Sequence, residues 1–453
     1  MKLIVRLRAG CRCFFGAAFL VAASLWSLPA VSAPQGGAPL PWVFVGDSLT
    51  AGVQNAALLD REEAMAHGLD DLGQQNSYAG QLALQAGTPM TFPRIAWPGF
   101  PNIITDVQPP FVLEQIMHPP HTLGRLNPHE QASNLAVSGA TAADALHARP
   151  NATCAPMHVE QIPLSLSNTN CVLGAPGLMH DDPHFQVSRS QVEWAEELTA
   201  GTMFVLLGAN EALGAVLEAN PAYLIPVEQF QQDYAQVMDR LAAVSFTLVV
   251  SNIPDVTDIP YLTSSEQVAE FLGVEFAQVQ ALFGLEPGDF VTPPAFAQIH
   301  AILANPEFGP LSEDVVLRAD EADTIRHAVD GYNHVIAGEA AKHGAVLVDA
   351  HGLGKEAAAN GIVVRGQRLT YDFGGGLFSL DGVHPTNTGY AVLANQYIHT
   401  MNTQLGTGIP PIPLPLVAQD DPLVGKTVGR PPVPLGVVTP NMVQSLRRLV
   451  LSD

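Results

Sequence analysis

Basic residues are scarce in this chain: 20 Lys and Arg stand against 43 Asp and Glu, for a formal charge of −23. Such a balance repels polyanions, which makes nucleic acid and anionic membrane surfaces poor partners. Charged residues of both signs make up only 14% of the sequence, against a usual share of about 25%. With 47% hydrophobic residues, the chain can bury a large core and still keep some apolar surface.

The sequence also lacks an apolar run of the roughly 20 residues that a membrane span needs. Its best candidate, Phe14 to Leu28, falls short of that length. There is no succession of alternating strands of about ten residues, as a membrane barrel would require, and no internal repeat. The Phe14 run instead follows Lys2, Arg6, Arg8 and Arg12 and leads to the small residues Val31-Ser32-Ala33. This is the pattern of a secretory signal peptide, residues 1–33, cut after Ala33 or at the nearby Ala30. The expectation is a secreted protein, periplasmic or extracellular, with no stable membrane span once the signal is removed.

Cysteine is scarce as well. Cys11 and Cys13 belong to the leader, so the mature chain keeps Cys154 and Cys171. In a compartment where disulfides persist, these two are predicted to pair.

Segments rich in Val, Leu and Phe recur between helical patterns: Trp42 to Val45, Asn134 to Val137, Met203 to Leu207, Phe246 to Val250 and Ala345 to Val348. Such alternation predicts a parallel sheet with helices on both faces. Helices are expected over Glu228 to Ala243, Ala319 to His343 and Asn387 to Gln404, where apolar residues recur at helical spacing. Residues 34–405 would form this domain, with insertions near 54–130, 149–189 and 258–313. In the third insertion, Val268, Leu272, Phe276, Val279 and Phe283 fall on one helical face, which predicts a helix packed on the core rather than a mobile lid. Residues 406–453 form a proline-rich tail, expected to be extended, with a short helix at Met442 to Leu451.

The stretch Val43-Phe44-Val45-Gly46-Asp47-Ser48-Leu49-Thr50 runs from a strand pattern straight into polar residues. Asp47 or Ser48 could simply cap a following helix. Alternatively, a serine at a strand-to-helix turn stands above the sheet edge, where helix N–H groups can stabilise an oxyanion. That serine needs a base, and Ser379-Leu380-Asp381-Gly382-Val383-His384-Pro385 offers one. A spacing of three lets the Asp381 carboxylate hold the imidazole Nδ1–H of His384 and leave Nε2 free for the serine proton. The competing reading makes Asp381 a cap for the helix after Pro385. Two more segments run from strand into turn: Asn134 to Thr141, which carries Gly139, and Leu206 to Glu211, which carries Asn210. In a parallel sheet the carboxyl ends of the strands share one rim, so Ser48, Gly139 and Asn210 would open on one crevice.

Gly-Asp-Ser-Leu at 46–49, Gly139, Gly-x-Asn at 208–210 and Asp-x-x-His at 381–384, in that order, resemble the four blocks of the SGNH, or GDSL-type, esterases and lipases. Ile253-Pro254-Asp255-Val256-Thr257 and Gly375-Gly376-Leu377-Phe378-Ser379 resemble secreted bacterial members. The resemblance implies a flavodoxin-like α/β/α sandwich with a central parallel sheet, and hydrolysis of acyl esters without cofactor or metal. It implies Ser48 as nucleophile, His384 as base and Asp381 as its orienter. Ser48 N–H, Gly139 N–H and Asn210 Nδ2 would form the oxyanion hole. The family usually follows this asparagine with aspartate, whereas Glu211 stands here; it is expected to alter the helix start and leave activity in place.

The expected substrate is a small-molecule or lipid ester. A carbohydrate O-deacetylase is the rival within the same fold, and a non-catalytic binding protein the rival of another class. Phe271, Phe276, Phe283, Phe290 and Phe296 in the third insertion favour lipid. His118, His121 and His129, and the cluster His180-Asp181-Asp182-Pro183-His184, are metal-ligating residue types, but they read as solvated loops. Asn151-Ala152-Thr153 is a glycosylation sequon. The oligomeric state is not legible in the sequence.

Overall fold

The computed structural model describes residues 41–424 apart from 70, 102, 109–111, 116–121, 152–153, 155–156, 159–166, 175–187 and 199. The expected signal peptide, the expected helix at Met442 to Leu451, His118, His121, the cluster from His180 to His184 and two residues of the sequon lie outside these. All described residues belong to one compact unit of the chain, Pro39–Asp453.

Four strands form the central sheet: β1 (Trp42–Gly46), β2 (Thr202–Leu206), β3 (Thr247–Ser251) and β4 (Val346–Val348). They pair in parallel in that order. The segment expected as a further strand, Asn134 to Val137, makes only one bridge, from Asn134 to Phe44. It nevertheless runs along the outer edge of β1, with Phe44 N donating to Ser133 O, Leu135 N to Phe44 O and Val137 N to Gly46 O. Asn134 turns its side chain onto nearby backbone, its Nδ2 donating to Thr50 O at 2.8 Å and its Oδ1 accepting from Ala136 N at 3.1 Å. Side-chain bonding of this kind competes with a regular ladder. With that segment included, the sheet has the flavodoxin-like order, in which successive strands are added to one side of β1 and then, from β2 on, to the other.

Successive strand residues point to opposite faces. Val43, Val45, Met203, Val205 and Val250 share a buried cluster with the helices Ala142–His147, Gln191–Leu198, Val227–Ala242 and Ala319–His343. Phe44, Phe204, Leu206, Val249 and Val348 face the helices Tyr78–Ala86 and Asn387–Leu405. The result is the expected α/β/α sandwich, with the long helices close to their predicted limits. Ala319–His343 stops where Gly344 takes a left-handed φ of 63°, a conformation that costs glycine little.

The third insertion differs from expectation. Its apolar face is divided between two helices, Ser265–Leu272 and Phe276–Phe283, because Gly273 ends the first with φ 64°. With Ala295–Ala304 they enclose a separate cluster that includes Val268, Val279, Phe283, Phe296 and Ile302. The proline-rich segment is also more structured than expected. Ile409 N and Ile412 N donate to the side chains of Asn402 and Asn395 on the Asn387–Leu405 helix, and a helix follows at Leu414–Asp420.

Cys154 and Cys171 form the predicted disulfide. Beside it the guanidinium of Arg125, only 1% exposed, donates to Val172 O, while Arg125 N donates to Cys154 O.

Candidate active site

β1 delivers Ser48 to the carboxyl edge of the sheet. Gly46 is required there, because a Cβ at that position would lie 2.3 Å from Thr50 Oγ1 and 2.9 Å from Leu206 O. Asp47 caps the short helix Ser48–Ala51, its Oδ1 accepting from Leu49 N at 3.0 Å. The capping reading is thus correct for Asp47, and Ser48 becomes the first helical residue with its hydroxyl free of that task.

The turn at 379–386 brings Asp381 and His384 together. Asp381 is fully buried. Its Oδ2 accepts from His384 Nδ1 at 2.8 Å and from Ala56 N at 2.7 Å. Its Oδ1 accepts from Val383 N and His384 N, each at 2.8 Å. Burial alone would push this carboxyl up; the adjacent His384 ring and the backbone N–H groups outweigh it and hold the acid below the usual carboxylate range. The alternative role as a helix cap belongs to Thr386, whose Oγ1 accepts from Gly389 N at 3.0 Å. His384 Nε2 is buried and has no hydrogen-bond partner among the described residues.

Support for Asp381 also comes from residues that sequence reasoning missed. Asn55 and Ala56 both adopt positive φ, 49° and 63°. This aims Ala56 N at Asp381, while Asn55 N donates to Ser379 Oγ and Asn55 Oδ1 accepts from Leu380 N, each at 3.0 Å. Asparagine tolerates the left-handed region, but that signal is too common along a sequence to have marked this one.

Gly139 adopts φ 84°, just after the segment that flanks β1. Asn210 begins the helix Asn210–Leu217 after β2, and its Nδ2 donates to Ala140 O at 2.9 Å, leaving its second amide hydrogen for a ligand. Glu211 reaches beyond its own helix, its Oε1 accepting from Ala142 N at 2.7 Å. Burial pushes the Glu211 carboxyl up to about 8, although Ala142 N works against it. The Asp47 carboxyl is pushed up to about 7, again by burial, with Leu49 N and His384 opposing.

Ser48, Asn210 and His384 line one cavity of about 110 Å³. Most of its remaining wall is apolar and includes Leu213, Ile259, Leu353, Ile362 and Leu393. Gly139 is not among the lining residues. The phenylalanines of the third insertion do not line it either; Phe283 and Phe296 are buried in their own cluster. The apolar wall comes instead from Leu213 after β2, from Leu353 and Ala357 after β4, from residues near 254–259, and from residues between 362 and 393.

Among the described residues, one group has metal-ligating character: Asp239, Glu339 and His343. The Lys342 ammonium already lies 2.9 Å from both Asp239 Oδ1 and Glu339 Oε2, and none of these residues lines the cavity. His129 is exposed.

A family model described as GDSL-like Lipase/Acylhydrolase matches residues 43–397. The chain is similar to an extracellular lipase from Streptomyces rimosus, with 14% identity, 81% of this chain and 99% of that chain covered, and a TM-score of 0.32. It is also similar to phospholipase A1 from Streptomyces albidoflavus NA297, with 14% identity, 81% and 100% covered, and a TM-score of 0.31. No curated protein matches.

Proposed function

We propose that this chain, which belongs to the GDSL-like lipase/acylhydrolase family, cleaves carboxylic esters of apolar acyl chains through an acyl-enzyme on Ser48. The observation that carries the reading is the unpartnered Nε2 of His384 in the same apolar cavity as Ser48. In this scheme Nε2 takes the Ser48 proton as Oγ attacks the ester carbonyl. Ser48 N–H, Gly139 N–H and the free amide hydrogen of Asn210 meet the oxygen as it becomes negative. Collapse of the tetrahedral species breaks the C–O bond to the alcohol, and His384 returns the proton to the departing oxygen. Water then repeats the sequence, and the acid leaves. Asp381 holds Nδ1–H throughout and stabilises the imidazolium.

The cavity wall favours a hydrocarbon acyl group over the single acetyl of a sugar ester. Each methylene buried there contributes about 0.8 kcal/mol, roughly fourfold in kcat/KM. The leader sequence and the disulfide fit export to an oxidising compartment, and among the described residues no helix is long and apolar enough to cross a membrane. The test is kcat/KM on p-nitrophenyl esters from acetyl to palmitoyl. A rise beyond acetyl is expected; activity confined to acetyl would indicate a deacetylase, and no turnover at all a binding protein.

A further inference from the structure

The Glu211 carboxyl is a buried acid that the hydrolytic scheme leaves unused. It is 1% exposed. Its Oε1 accepts from Ala142 N, but Oε2 is buried with no protein partner among the described residues. A buried carboxylate is costly unless its oxygens meet donors or a cation. The titratable groups that face Glu211 are Asp47 beyond β1, Asp144 on the Ala142–His147 helix, Tyr234 on the Val227–Ala242 helix and Tyr332 on the Ala319–His343 helix. All are acidic or neutral, so an ionised Glu211 would meet burial and like charge, opposed only by the backbone N–H groups of Ala142 and of Glu211 itself.

The same residue touches the loop that carries Gly139. Asn210 Nδ2 holds Ala140 O at 2.9 Å and Glu211 Oε1 holds Ala142 N at 2.7 Å, so two consecutive side chains pin residues 140–142 from one side. Asn210 Oδ1 and Asp47 Oδ2 are likewise buried without a donor among the described residues. A hydrogen on Glu211 is therefore added to a region crowded with acceptors.

We propose that Glu211 is a positioning residue for the oxyanion donors and that it performs this role as the uncharged acid. The inference rests on the reading of Gly139 and Asn210 as those donors. Loss of the Glu211 proton would place a negative charge beside the point where the ester oxygen becomes negative. The transition state suffers more than the uncharged ground state, so kcat falls while KM stays nearly constant. This sets an alkaline limit to activity.

The test is kcat and KM against pH, from about pH 5 to about pH 10, for the parent, Glu211→Gln and Glu211→Ala on a short-chain p-nitrophenyl ester. Glutamine keeps an oxygen for Ala142 N–H and donors where the acid's hydrogen stood, but it cannot ionise. The parent kcat is expected to fall about tenfold or more above pH 8, and Glu211→Gln to stay within about threefold of the parent at pH 7 while losing that fall. Glu211→Ala is expected to lose about tenfold or more in kcat at every pH, with KM changed by less than about threefold. An unchanged alkaline fall in Glu211→Gln would overturn the proposal even if the alanine variant failed to fold. So would parental kcat in Glu211→Ala. Asn210→Ala, measured alongside, separates the two levels. Parental activity there would remove the oxyanion reading and this inference with it. A loss there with parental Glu211 variants would remove this inference alone.

Discussion

Replacing Asp381 with asparagine keeps the shape of the side chain and changes one acceptor into a donor. Asp381 Oδ1 receives two backbone donors, from Val383 N and His384 N, whereas Oδ2 receives one, from Ala56 N, together with His384 Nδ1. An amide nitrogen in the Oδ1 position would face two N–H groups; in the Oδ2 position it faces one. The second orientation therefore costs less, leaving Ala56 N–H buried without an acceptor, a loss of about 1–3 kcal/mol of stability. In that orientation the amide donates to His384 Nδ1 and moves the ring proton to Nε2, the atom that accepts from Ser48 in the proposed scheme. The wrong tautomer costs about 10⁴ in kcat in serine proteases, and a similar fall is expected here, measured on a p-nitrophenyl ester with KM little changed. Urea unfolding adds an independent readout. Because the folded state holds Asp381 below the usual carboxylate range, the parent gains stability above the unfolded value of about 3.9 and loses it as pH falls through the folded value. Asp381→Asn should show a flatter stability curve below about pH 4. A kcat within about tenfold of the parent, or an unchanged acid slope, would refute the reasoning.

Two further outcomes follow from the same geometry. Asn210→Ala removes a donor while leaving the apolar part of the cavity wall in place, and should lower kcat by about 100- to 1,000-fold with a small change in KM, measured by the same ester assay. Replacing Cys154 and Cys171 with serine opens a link across 17 positions; this should cost roughly 3 kcal/mol in urea unfolding while turnover of the folded protein is retained.

What the sequence made legible is local. β1 to β4 are short apolar runs, and the long helices carry apolar residues at helical spacing, so each could be read from its own residues. The Asp381–His384 pair was legible because three positions in a turn suffice to join them. Contacts that span the chain were not. Ala56 N reaches Asp381 across 325 positions, and nothing near residue 56 reveals that the partner exists. The third insertion misled for a related reason. Phe276, Phe283 and Phe296 belong to a separate cluster, and composition cannot tell a self-contained core from the wall of a cavity. Asn134 to Val137 has the residues of a strand and lies beside β1, but the Asn134 side chain takes backbone partners of its own. The proline-rich segment reads as extended up to a short helix at Met442 to Leu451, whereas asparagines of the preceding helix anchor its first part and a helix already forms at Leu414–Asp420.

Covalent labelling tests the central claim most directly. An organophosphonate ester is attacked by an activated serine oxygen and remains attached, so it reports the nucleophile itself without dependence on the natural ester. The protein treated with such a reagent, digested and sequenced by mass spectrometry, should carry a single adduct on Ser48, with loss of ester hydrolysis in proportion to labelling. Ser48→Ala should take up no label and retain the parental unfolding midpoint. An adduct on any other serine, or full hydrolysis by Ser48→Ala, would contradict the assignment of Ser48 as the nucleophile.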